Sequence, residues 1–232
     1  MTAARERLTK LIELASQDSP EDRRTLAREL CDLLLDWPAN YPTNMREPFE
    51  ALLEKTLRVI DKQSCDALVW RIAERADAPL DLLNEFYFGA PDELRERILI
   101  RNADANRDAT HDPEPSDLDA ASLSARLVEV ARTKPRTDFA DALTALCGLN
   151  ETVVERILLD ATGESLAILC KGAHLGRAAF SALAMLTGNQ AADAAQQRLS
   201  AFDSVPQAGA EQLLKFWQMR HRSTEVAKAT AA

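Results

Sequence analysis

Apolar residues recur along this chain at the three- and four-residue spacing of helices buried on one face, and almost nowhere in alternation. Leu8, Leu11, Ile12 and Ala15 predict a helix from about Ala3 to Ser16. Ser19-Pro20-Glu21-Asp22 marks the next start. Ser19 can accept from first-turn amides, Pro20 suits the first helical position, and the acids favour the positive end of the dipole. That helix carries Leu26, Leu30, Leu33, Leu34 and Trp37, and Pro38 stops it. Further helices are predicted from near Met45 (Phe49, Leu52, Leu53, Leu57), from about Ser64 to Ala76 (Leu68, Val69, Ile72), after Pro79 (Leu80, Leu83, Phe86) and after Pro91 (Leu94, Ile98, Leu99).

The period lapses in NADANRDATHDPEPSDLD, from Asn102 to Asp119, which is polar, acidic and Pro-containing. It is expected to be a linker or long loop, placed at 104–116, between a helical region 1–103 and another, 117–232. Ser116 and Asp119 then read as the cap of a helix bearing Leu123, Leu127 and Val130. From Asp138 to Gly188 the chain is apolar, with eight charges in the fifty residues after Asp138. Gly148, Asn150, Gly163, Gly172, Gly176 and Gly188 punctuate it into short helices. Two more helices, about Asn189–Phe202 and Pro206–Glu225, are predicted to follow.

The segments repeat. Leu143, Leu149, Val154 and Ile157 recur 26 residues on as Leu169, Leu175, Phe180 and Leu183. Leu68, Arg71, Ile72 and Arg75 recur at the same offset as Leu94, Arg97, Ile98 and Arg101. A period of this length is the mark of stacked helical hairpins. The expected fold is all-α: a HEAT-like α-solenoid array of short hairpins, divided into two halves by the linker, with the last helix capping one end.

Composition narrows the function classes. The net charge of −9 argues against nucleic acid and anionic membrane as partners. No apolar run approaches the roughly 18 residues of a membrane span, and MTAARERL lacks an apolar signal region, so a cytoplasmic protein without integral membrane association is expected. Cys31, Cys65, Cys147 and Cys170 are far apart and set in apolar helical pattern, which reads as packed thiols and neither a zinc nor a redox site. Asp104, Asn106, Asp108, Thr110 and Asp112 have calcium-loop spacing, but Ala109 stands at the sharp-turn glycine and Pro115 at the bidentate glutamate. No metal or cofactor is expected. No nucleophile elbow, phosphate loop or HExxH motif occurs.

Two sets of residues remain as candidates. Arg71, Arg75, Arg97 and Arg101 are expected to form a basic ridge that binds a partner, with Glu74 and Glu96 as its expected ion-pair partners. Phe216, Trp217 and Arg220 lie on the broad-faced last helix, which either covers the end of the array or docks a partner. His221, between two arginines, and His174, in a repeat turn, are the candidate phosphoacceptors of an alternative reading, a phosphotransfer component or adaptor of a two-component-type signalling pathway. His111 falls in the linker.

SPEDRRTLARELCDLLLD, LVWRIAERADAPLDLLNEF with LRERILIRNA, and above all GESLAILCKGAHLGRAAF resemble an uncharacterised bacterial family of all-helical proteins with HEAT-like or leucine-rich-variant repeats. The resemblance implies a fold and carries no activity or catalytic residue. The expected function is therefore a non-enzymatic helical-repeat scaffold or regulator that binds another protein.

Overall fold

The computed structural model describes residues 2–17, 19–38, 41, 46–107, 117–187 and 192–231. Among them are thirteen α-helices, one 3-10 turn and no strand. The chain divides into two compact units, Met1–Ile98 and Leu99–Ala232.

In the first unit α2 (Pro20–Leu35) packs on α1 (Thr2–Ser16), α3 (Arg46–Leu57) and α4 (Lys62–Ala73). Leu30, Leu33, Leu53, Leu57, Val69 and Ile72 are buried between them. α2 starts as predicted: the Ser19 hydroxyl accepts from the Asp22 amide at 3.1 Å. α4 starts earlier than its apolar period shows, because Asp61 accepts from the Ser64 amide at 3.0 Å. The backbone N–H of Ser64, with its hydroxyl and Arg24 in support, holds the Asp61 carboxyl well down, at about 2. α5 (Leu80–Glu85) and the 3-10 turn Tyr87–Gly89 lead into α6 (Asp92–Arg107).

α6 differs from the sequence reading. It runs through Asn102 to Arg107, so the first positions of the expected linker are helical. Asn102 is 1% exposed and takes the core position that Ile98 and Leu94 hold one and two turns earlier. An amide in a core slot hid the continuing period. The remainder of the linker, with His111, lies outside the described residues, as do most of the calcium-loop positions.

The second unit is built around α10 (Glu164–Gly172), whose residues Ser165 to Cys170 are all buried. It packs on α9 (Glu151–Leu159), α11 (Arg177–Thr187), α12 (Ala192–Ser204) and, most extensively, α13 (Gln207–Ala231). α7 (Asp117–Thr133) packs on α8 (Arg136–Cys147) and α11. Two glycines set the close approaches. A Cβ at Gly172 would stand 2.7 Å from Leu214 Cβ and 2.8 Å from the Ala210 carbonyl oxygen. A Cβ at Gly209 would stand 2.5 Å from the Leu99 carbonyl oxygen. Gly172 is thus the last residue of a helix pressed against α13, and its task is clearance, where the sequence had marked it as a turn residue.

The 26-residue offset relates two hairpins, α8–α9 and α10–α11. After α8, Gly148 takes the left-handed conformation (φ 64°) and the Leu149 amide donates back to Thr144 at 3.3 Å. After α10, His174 takes the same conformation (φ 56°) and the Leu175 amide donates to Cys170 at 2.7 Å. Both corners make the six-to-one bond of a Schellman cap, and the His174 corner adds its second bond, from the His174 amide to Lys171 at 2.8 Å, so that orphan carbonyls at a helix end find donors past the turn.

Candidate docking face at the ends of two related helices

The offset also pairs positions on α9 and α11. Val154 and Phe180, Ile157 and Leu183, and Leu158 and Ala184 are all buried, none more than 7% exposed. The next pair reverses: Leu159 is 74% exposed and Met185 66%, with Leu186 at 45% beside it. Two large apolar side chains therefore stand in water at equivalent places on two related helices.

Local chemistry fixes where those helices end. Past α9, the Asp160 carboxylate accepts from the Thr162 hydroxyl (2.6 Å), the Thr162 amide (2.9 Å) and the Ser165 amide (2.8 Å). It thereby caps α10, whose N-cap residue Gly163 has no side chain to do so. Burial pushes the Asp160 carboxyl up, but those hydrogen bonds outweigh it and the net shift is downward.

Arg198, on α12 and only 8% exposed, ties the two ends together. Its Nε donates to the Ala161 carbonyl (3.0 Å), Nη2 to Asp160 (3.0 Å) and Nη1 to Ala184 (3.4 Å). These are acceptors just past α9 and in the last turn of α11, where helices lack internal donors and carry partial negative charge. The aliphatic stem of Arg198 fills the space beside left-handed Gly163, 3.1 Å from where a Cβ would sit. Leu159 and Met185 are the immediate chain neighbours of the clamped carbonyl residues.

A polar corner lies elsewhere on the unit, around His174. Its Nε2 is 3.7 Å from Glu211 Oε1, and Gln207 donates to both Glu211 (2.8 Å) and the Lys171 carbonyl (2.9 Å). The Lys171 ammonium donates to the Val205 carbonyl and sits 4.9 Å from the centre of the Phe202 ring. Burial lowers the Lys171 pKa, partly offset by Asp203. These contacts join the α10 end to the α12–α13 turn.

The residues singled out by sequence are placed as follows. Arg71 pairs with Asp32 at 2.6 Å, and Arg75 with Asp77 (3.2 Å), Asp36 (3.7 Å) and the Leu35 carbonyl (2.9 Å). The expected partners were Glu74 and Glu96. Packing of α4 on α2 instead turns both arginines toward the end of α2, where carbonyls and aspartates collect. Arg97 and Arg101 are half-buried, one turn apart on α6. Phe216 and Trp217 are 5% and 2% exposed, so these two side chains are buried. Arg220 is exposed with its guanidinium 5.5 Å from the centre of the Phe216 ring, and His221 is half-buried. Burial pushes the Cys147 thiol up to about 12 and Cys31 and Cys65 to about 11. Among the described residues no group of three or more His, Cys, Asp or Glu is placed to hold a metal ion, and no helix is long and apolar enough to cross a membrane.

Residues 54–215, well over half of the chain, match a family of uncharacterised proteins conserved in bacteria, DUF2336. The chain belongs to this family. The DUF2336 span takes in both related hairpins, the Asp160 cap and Arg198, and ends two residues before Trp217. No curated protein and no solved structure matches the chain. Sequence reading did not single out Leu159, Met185, Arg198 or Asp160 as a group. The signal was present in the 26-residue offset, had it been followed one position past Ile157 and Leu158.

Proposed function

We propose that this DUF2336 chain is a HEAT-like helical-repeat protein of the bacterial cytoplasm that acts, without catalysis of its own, as a scaffold or regulator by binding another protein. The observation that carries the reading is the pair Leu159 and Met185, exposed at equivalent positions of two related helices whose neighbouring positions are buried. Covering a Leu or Met side chain is worth about 1.5–3 kcal/mol each. The Arg198 clamp fixes the backbone beside them, so little ordering cost opposes binding there. The alternative, phosphotransfer through His174 or His221, has weaker support. A phosphoryl group on His174 Nε2 would meet the Glu211 carboxylate 3.7 Å away.

Photo-crosslinking residues placed at Leu159 and Met185 in living cells, with one at exposed Ile12 as control, provide the test. A protein captured only from the first two positions is then purified and its affinity measured directly. Leu159→Asp with Met185→Asp is expected to weaken that complex about 100-fold. Unchanged affinity would refute the assignment of this face.

A further inference from the structure

Resting on that reading, we infer that the face around Leu159 and Met185 takes an amphipathic helix of the partner protein, with Lys or Arg flanking its apolar stripe. Glu151, Glu155 and Leu159 follow one another at four-residue spacing, so they share one exposed face of α9. Both glutamates are exposed, and no ion pair with a described residue neutralises either. Glu151 has a local reason to be acidic, since it lies in the first turn of α9. Glu155, in mid-helix, has none. At the equivalent places on α11 stand Arg177, whose charge is met by Asp203, and uncharged Ser181. With exposed Arg156 beside them on α9, Glu151 and Glu155 still leave a net negative charge, and it lies on the α9 side. Glu155 sits one helical turn, about 5.4 Å, from Leu159 and Glu151 two turns. A helix laid along α9 with an apolar anchor at Leu159 and basic residues one and two turns away meets all three. The same carboxylates disfavour an anionic lipid surface.

Binding of three fluorescent helical peptides to the full chain tests this. They share one leucine stripe and length and differ only in flanking residues: Lys, Gln or Glu. The Lys peptide should bind about tenfold tighter than the Gln peptide at low salt, and the Glu peptide weakest. The gaps should close as salt rises. Glu151→Gln with Glu155→Gln should abolish the preference while binding persists. Leu159→Asp with Met185→Asp should abolish binding with the helical circular dichroism unchanged. Equal affinity of the three peptides, no binding of the Lys peptide, or a Lys preference that survives the double Gln change would overturn the inference. Should crosslinking at Leu159 yield a protein that binds through an acidic or non-helical segment, this inference fails while the protein-binding reading stands. Failure of crosslinking at both positions removes both.

Discussion

The corners after α8 and after α10 share one closing backbone hydrogen bond, from Leu149 to Thr144 and from Leu175 to Cys170, yet one uses Gly148 and the other His174. At Gly148 an added Cβ would meet nothing within 4 Å, so glycine is there for its backbone alone. His174 accepts a conformation that costs a non-glycine residue about 1–2 kcal/mol and turns its ring toward Glu211 on α13. Two residues earlier the pattern inverts. Gly172 in the second hairpin corresponds to Leu146 in the first: α13 presses directly on Gly172, whereas it reaches the end of α8 with a side chain, Gln218, which donates to the Cys147 carbonyl at 2.9 Å. Repeated sequence thus sets the local turn, and the neighbour each copy meets decides which side chains it can keep.

Giving the second hairpin the first hairpin's residue is the harshest way to erase this difference. Gly172→Leu drives a side chain into Leu214 and the Ala210 carbonyl, and should cost about 3 kcal/mol or more in chemical denaturation. Leu146→Gly, the reverse change, should cost less, about 1–2 kcal/mol, since Leu146 is only half-buried and Gly is a weak helix former. Arg198→Leu leaves the Asp160, Ala161 and Ala184 carbonyls without that donor and should cost about 2–3 kcal/mol, with partner binding reduced as the two helix ends separate. Exchanging the corner residues is milder. Gly148→Ala should cost about 1 kcal/mol, whereas His174→Gly should lie between neutral and about 1 kcal/mol stabilising. The opposite sign of these two is the sharpest check on the comparison. The smallest effect is a slope. Asp160 has a lowered pKa in the folded state, so its contribution is present above the ordinary carboxylate range near 4. It fades as pH falls through the lower folded value. Asp160→Asn should flatten that acid limb in a pH series of melting temperatures.

Helix starts were legible where a cap is written locally, as at Ser19 or Asn150, whose side chain accepts from the Val153 amide at 2.8 Å. The α6 extension was not, because Asn102 is a polar residue in a core slot. Gly209, which no turn requires, is explained only by the Leu99 carbonyl, distant in sequence. The docking face was hidden for a related reason. Ile157, Leu158 and Leu159 are alike on the page, and only the fold shows that the first two are covered and the third is not. Arg198 looked like a scattered surface charge because its acceptors are set by packing, the Asp160 carbonyl lying 38 residues away, whereas the Asp160 carboxylate has local partners in Thr162 and Ser165. Periodicity reports which face of a helix is apolar. It cannot report whether another helix arrives to cover it.

The tight seating of α13 has a consequence for how the polypeptide is made. Gly209 lies against the Leu99 backbone and Ala210 and Leu214 against Gly172, so the core of the second unit is finished by residues synthesised more than a hundred positions after its first. Until α13 leaves the ribosome, α10 lacks the helix it packs on most extensively. Loop closure over that distance is slow compared with local helix formation. Completion of the second unit's core therefore waits on α13, and a chain held before that helix keeps α10 short of the partner it packs on most.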